Sequence, residues 1–200
     1  MFYFSPFDVS DLYFNFKNLF SSNKENDDVS IAIALGNIDG EKMNIVSRAE
    51  KDEIKAFQSQ LNIAGKLCKE GAVKTGFCYY NLLNGINSQA CGAFQRNLQF
   101  DFPRISQVLQ ALDTFAGTGQ KLDYYKNLEG RIVNGVPAHL VDLCRVANIG
   151  KVRANRLYAK GIRTVDEIAA MSIKDLTSIA NIKADMAEQI LQDAKKVAFT

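Results

Sequence analysis

A 33-residue unit occurs twice after residue 140, and it constrains the fold of the C-terminal part more than any other feature. Leu143-x-x-Val146-Ala147-Asn148-Ile149-Gly150 recurs as Leu176-x-x-Ile179-Ala180-Asn181-Ile182-Lys183. Ala154 and Leu157 recur as Ala187 and Ile190, so seven positions align at one offset. In the first copy, Leu140, Leu143 and Val146 predict an inward face on a first helix. Asn148-Ile149-Gly150 then reverses the chain. Asn is the non-glycine residue that best tolerates the left-handed region, and Gly150 tolerates positive φ. Ile149 plugs the turn into the core. Ala154 lets the two helices approach, and Leu157 continues the inner stripe.

Helix, tight turn and helix in this order is the helix-hairpin-helix pattern. Gly161-Ile162-Arg163-Thr164-Val165-Asp166-Glu167 fits its continuation, with Thr164 and Glu167 spaced as a capping box. Backbone N–H groups at the start of the second helix point outward, at the positive end of its dipole. A glycine at position 150 leaves room for a phosphate oxygen there. Arg153, Arg156 and Lys160 follow at spacing 3 and 4, and such contacts position nucleic acid without reading its sequence. In the second copy Lys183 replaces the glycine, and Asp185 stands where an anion would approach. The second hairpin is therefore expected to be structural and to pack against the first.

Charge supports this division of labour. Residues 1–134 carry 14 basic and 15 acidic side chains, and residues 135–200 carry 10 and 7. Between 143 and 165 lie Arg145, Lys151, Arg153, Arg156, Lys160 and Arg163, with no acid among them. That stretch is the one local electrostatic feature that attracts phosphate.

Several chemistries are missing. Cys68, Cys78, Cys91 and Cys144 include no close pair, and His139 is the only histidine, so no zinc site is expected. The cysteines read as reduced and mostly buried. Gly117-Thr118-Gly119-Gln120-Lys121 lacks the Gly-Lys-Ser/Thr ending of a phosphate-binding loop and reads as a connection between helices. No residue set carries bond-breaking chemistry, so no catalytic site, metal or cofactor is assigned to this chain. No run approaches the ~18 apolar residues that span a bilayer, and the N-terminus lacks the basic leader of a signal peptide.

The rest of the chain reads as helices, giving an all-α protein: a helical bundle over 1–134, then a tandem helix-hairpin-helix domain over 135–200. The prolines, Pro6, Pro103 and Pro137, each sit where a helix can begin. Phe7, Leu12, Phe16 and Leu19 form one apolar stripe. Ser47 is placed to cap a helix turning Ile54, Phe57 and Leu61 inward. Ile105, Val108, Leu109 and Leu112 repeat at helical period, as do Leu122, Tyr125, Leu128 and Ile132. Residues 29–46 are ambiguous. Val29, Ile31, Ile33 and Leu35 alternate and Asp39-Gly40 suits a β-hairpin, whereas Asp27 or Asp28 as cap, with Ala32 and Ala34, favours a helix. Helix is the preferred reading. Residues 84–102 are rich in small and amide residues and predict a partly exposed helix presenting amides and Arg96.

Asn134 to Val146, followed by Ile149-Gly-Lys-Val-Arg-Ala-Asn-Arg-Leu-Tyr-Ala-Lys-Gly-Ile-Arg-Thr164, resembles the C-terminal region of superfamily 2 DNA repair helicases. The archaeal Hel308-like helicases and the helicase domain of polymerase theta are the members it most resembles. Thr75-Gly-Phe77 and Phe94-Gln-Arg-Asn-Leu98 resemble, more weakly, the preceding helical bundle. The resemblance implies that this chain corresponds to the last two domains of such an enzyme, a "ratchet" bundle and a helix-hairpin-helix domain. ATP and Mg would belong to motor domains, in the same or another chain, that these residues do not include. It implies binding to single-stranded or forked DNA, independent of sequence, by a monomer in the cytoplasm (nucleoid-associated) or the nucleus. The expected contacts are Asn148, Ile149, Gly150, Lys151, Val152, Arg153, Arg156, Lys160 and Arg163 in the hairpin domain. Gln89, Arg96 and Asn97 are the candidates on the ratchet helix. The chain departs from the family in two ways. The common Arg-Ala-Arg is Arg153-Ala154-Asn155 here, with Arg156 next. There is no Trp for base stacking, which leaves Phe94, Tyr79 or Tyr80 as substitutes. The alternative reading is a helical protein-interaction or scaffold module.

Overall fold

A computed structural model describes residues 6–37, 48–60, 70–88, 91–117 and 119–199. Among them, ten α-helices and two short 3-10 turns account for the regular structure, and no strand is present. The helices are α1 (Pro6–Ser21), α2 (Asp28–Gly36), α3 (Arg48–Gln60), α4 (Glu70–Leu83), α5 (Gly92–Ala116), α6 (Leu122–Asn134), α7 (Lys151–Ala159), α8 (Val165–Ala169), α9 (Ile173–Ala180) and α10 (Ala184–Ala198). The 3-10 turns, Ala138–Leu140 and Leu143–Arg145, lie between α6 and α7.

The apolar stripes sort into two cores. Leu12, Phe16, Ile31, Leu35, Ile54, Phe57, Leu109, Tyr125, Leu128 and Ile132 belong to the first. Val136, Leu140, Leu143, Ile149, Leu157, Leu176 and Ile190 belong to the second. In the first core α2 packs on α4, and α5 on α6. Phe16, Phe20, Tyr124 and Tyr125 meet edge to face at its centre, with centroids 5.2–6.3 Å apart. Asp27 settles the ambiguous segment as far as residue 37: its carboxylate accepts from the amides of Val29 and Ser30 and starts α2. The β-hairpin alternative and the positions of Ser47, Leu61 and Cys68 fall on residues outside those described. Cys78 and Cys91 are buried, Cys144 is half-buried, and all three are free thiols.

Two expectations are corrected. Pro103 does not begin a helix but lies inside the 25-residue α5, which joins the two segments read separately from the sequence. An interior proline costs roughly 3 kcal/mol. Leu98, Phe102, Ile105 and Leu109 form one buried stripe across it, and burial at about 1.5–3 kcal/mol each outweighs that cost. The first helix of the first hairpin unit is also absent, and two 3-10 turns take its place. Leu140, Leu143 and Val146 are all buried at successive spacings of three, the period at which a 3-10 turn stacks side chains. Pro137 precedes the first of these turns, so it also begins no α-helix.

The cores are joined by a tight junction. α6 ends on Gly135 in the left-handed region (φ 59°), whose amide donates to the Ile132 carbonyl, while that of Val136 donates to Arg131. The Arg131 guanidinium is buried and donates to the Asp28 carboxylate at 2.7 Å and the Leu83 carbonyl at 3.0 Å. One side chain thereby ties the ends of α4 and α6 to the start of α2.

Candidate nucleic-acid interface

The first hairpin begins where Val146 becomes extended after the second 3-10 turn. Asn148 takes the left-handed conformation (φ 66°), and Ile149, 3% exposed, fills the core beneath. Gly150 is the residue before α7, but its backbone is extended (φ −92°, ψ −178°), so the expected positive φ is not used. Any residue adopts such angles. A Cβ built at Gly150 would meet no atom within 4 Å. Neither backbone strain nor packing within the chain therefore requires glycine here.

The helix that follows starts bare. No side chain caps α7, and its first turn contains no acid. Ala154 N–H is the first to find a helical partner, the Gly150 carbonyl at 3.0 Å. The amides of Lys151, Val152 and Arg153 thus face open space at the positive end of the helix. Arg153 is braced at the edge of this opening by its donation to the Asn148 carbonyl at 2.5 Å. Val152 is 64% exposed beside it. A groove of about 580 Å³ lies alongside, lined by Asn148, Gly150, Arg153, Cys144 and Asp193. Burial pushes the Cys144 thiol up to about 11, so it stays protonated near neutrality.

The remaining expected contacts separate. Lys151 turns sideways and donates to the Asn87 side-chain carbonyl at 2.8 Å. Arg156 is exposed but donates to the Ala180 carbonyl at 2.9 Å, at the end of α9. Lys160 follows α7 at its far end, about 15 Å from Gly150 at the helical rise of 1.5 Å per residue. Arg163 lies 3.5 Å above the Tyr158 ring and donates to the Tyr158 carbonyl. His139 packs tilted against the same ring, with centroids 4.6 Å apart and planes at 52°. The structure thus gathers Asn148, Ile149, Gly150 and Arg153 at the opening, turns the Lys151 side chain to Asn87, and places Lys160 and Arg163 at the other end of α7. The capping box forms as expected between Thr164 and Glu167. Amide donation from Arg163 and Thr164 holds the Glu167 carboxyl below its ordinary range.

The second hairpin repeats the backbone of the first. Asn181 is left-handed (φ 54°), and Lys183 is extended (φ −75°, ψ 157°) before α10. Here Asp185 enters the first turn. A groove of about 670 Å³ beside it is lined by Asn181, Lys183, Asp185, Gln189 and also Arg153. One arginine therefore borders both turns.

Two residues escaped the sequence reading. Asp193 on α10 accepts from the Ala147 amide at 2.6 Å and anchors the first hairpin from 46 residues away, a separation that leaves no local signal. Phe100 on α5 is 84% exposed. Its spacing of four from both Arg96 and Arg104, each exposed, was a readable signal. Asn97 is exposed on the same helix, and Gln89 lies outside the described residues. Tyr79 is in the first core, and Tyr80 and Phe94 pack against it, so the substitutes named for a stacking Trp are occupied inside the bundle.

In the connection after α5, the Asp113 carboxylate accepts from the Lys121 amide at 3.0 Å. Among the described residues, no three metal-ligating side chains gather, and no helix is long and apolar enough to cross a membrane.

The twin turns and the packing of their helices define a class. Residues 140–196 match the family model of the SAM-like helix-hairpin-helix tandem, and this part of the chain has that fold. Beyond it, the chain resembles the C-terminal region of Hel308-type helicases. It is 31% identical over 94 residues to the ATP-dependent DNA helicase Hel308 of Caldivirga maquilingensis, covering 46% of this chain and 12% of that protein. It is 36% identical over 69 residues to the Hel308 of Thermococcus kodakarensis, covering 34% and 6%. For the Hel308 of Aeropyrum pernix the figures are 28% over 89 residues, 44% and 12%. The matched stretch thus spans only 6–12% of the length of these relatives.

Proposed function

We propose that this chain is a non-catalytic nucleic-acid-binding part of an ATP-dependent DNA helicase, gripping single-stranded or forked DNA by its backbone. Residues 135–200 act as the phosphate-holding unit and residues 1–134 as the bundle beside which the strand runs. The observation that carries the reading is the opening at Gly150: bare helix amides, a flanking arginine and a glycine required by nothing inside the protein. A phosphate oxygen accepts from the amides of Lys151, Val152 and Arg153, and the Arg153 guanidinium adds charge at the edge. Asn148 and Ile149 shape the turn, and Val152 offers an apolar contact to sugar. Arg156, Lys160 and Arg163 extend the positive surface away from the opening. On α5, Arg96, Asn97 and Arg104 provide polar contacts, and Phe100 takes the base-stacking role. The similarity to Hel308 helicases supports the same reading, with ATP and Mg handled by motor domains outside these residues.

The test is fluorescence anisotropy with labelled single-stranded, duplex and forked DNA, comparing the protein with Gly150→Glu. The carboxylate projects into open space, so the melting temperature is expected to change little while DNA binding is lost. Equal binding by both proteins would refute the phosphate site. Phe14 and Phe115, 57% and 88% exposed, favour a second reading as a protein-interaction module. On that reading Gly150→Glu leaves partner binding intact, and no DNA binding is seen even at low salt.

A further inference from the structure

The Lys151 ammonium is held away from the opening at Gly150 by an exposed residue beyond the end of α4. Its partner, Asn87, follows a firmly built helix end. The amides of Gly85 and Ile86 donate to the carbonyls of Leu82 and Asn81 at 3.2 and 2.7 Å, closing α4. Gly85 is left-handed (φ 64°), and a Cβ there would lie 3.1 Å from Pro137 Cδ, 3.4 Å from the Gly135 carbonyl oxygen and 3.7 Å from Lys151 Cε. The stem of Lys151 thus runs along the face of this turn. On the far side of Asn87, the Ser88 hydroxyl donates to the Glu53 carboxylate at 2.8 Å. Asn87 is exposed and sits between two anchored neighbours, and its side-chain carbonyl accepts from Lys151.

Lys151 is the first residue of α7, where the helix dipole disfavours a cation and no acid relieves it. Its present acceptor is a neutral amide oxygen. A phosphate at the adjacent backbone amides is charged and forms the stronger hydrogen bond. One ammonium cannot keep its geometry with Asn87 and also turn to the opening.

We propose that Asn87 is an affinity-setting latch: it holds Lys151 off the hairpin's phosphate site, and a bound phosphate draws Lys151 away, releasing the turn at residues 84–88 that closes α4. The proposal rests on the phosphate site at Gly150 described above. It makes occupancy of the hairpin felt in the bundle at the segment leading toward α5.

The test measures single-stranded DNA affinity of the full chain for Asn87→Ala, Asn87→Asp, Lys151→Ala and the two double variants. Asn87→Ala is expected to bind about two- to fivefold more tightly, the scale of one exposed charged hydrogen bond. Asn87→Asp strengthens the latch and is expected to bind more weakly. Both effects are expected to disappear in the Lys151→Ala background. An Asn87→Ala protein that binds equally or more weakly overturns the latch, as does an effect of either variant that survives Lys151→Ala. General repulsion by the new carboxylate would survive in that way. Gly150→Glu runs in parallel. If it binds DNA like the unaltered protein, the phosphate reading fails and the latch with it; if it loses binding while Asn87→Ala changes nothing, only the latch fails.

Discussion

Asn148 and Asn181 stand at equivalent points of the two hairpins with φ near +60°. A β-carbon bearing an ordinary side chain is disfavoured there by roughly 1–2 kcal/mol, while Asn and Gly enter the region readily. Asn148→Ala is therefore expected to lower stability by about 1 kcal/mol, and Asn148→Gly to leave it nearly unchanged, in denaturant titrations. The role of Asn148 was legible from its recurrence at one offset. Gly150 was legible as an opening but not as a conformation, because its freedom at positive φ is simply not used. The partners of Arg156 and Ala147 were not legible. They come from the second copy, the Ala180 carbonyl and the Asp193 carboxylate, and no local pattern announces a contact between distant segments.

Helices in the first core approach closely at one point. A Cβ at Gly36 of α2 would lie 2.8 Å from the Ala72 carbonyl oxygen and 2.9 Å from Gly76 of α4. Both obstacles are backbone, so the helices would have to part. Gly36→Ala is expected to cost about 1–3 kcal/mol by thermal unfolding, despite the better helix propensity of Ala. The apolar stripes of α1, α3 and α6 were legible because period 3.6 sorts their residues onto one face. The joining of two segments through Pro103 was not, because a proline penalty is local whereas the stripe that overrides it is set by tertiary burial. The 3-10 turns before the hairpin were hidden for a related reason. Spacings of three belong to either helix type until the neighbouring packing is known.

Across the molecule, the charge asymmetry narrows what the binding surface can do. The basic stretch from 143 to 165 is divided by the fold: Arg153 lies at the opening and Lys151 is turned to Asn87 beside it, whereas Lys160 and Arg163 lie at the other end of α7. On the proposed reading, a strand held at the opening is expected to engage two or three phosphates rather than six. For single strands the salt exponent is about 0.7 per phosphate, so affinity is expected to fall only about tenfold from 50 to 200 mM salt. Anisotropy across that range checks this, and a loss of roughly three-hundredfold would mean that the whole basic stretch acts together. The tandem at the C-terminus was legible as a whole from its repeat. The contact between the two cores was not, since Lys151 reaches Asn87 only once both units are folded.

The empty space around Gly150 has a consequence for how variation at this position becomes visible. The fold asks nothing of residue 150, so a survey of variants scored by expression or melting temperature would pass over it as neutral ground. The core leucines nearby would dominate such a survey and say nothing about ligands. On the proposed phosphate reading, position 150 is expected to separate from the exposed surface only when the same variants are scored against a bound strand. The difference between those two scores, rather than either alone, draws the outline of the interface.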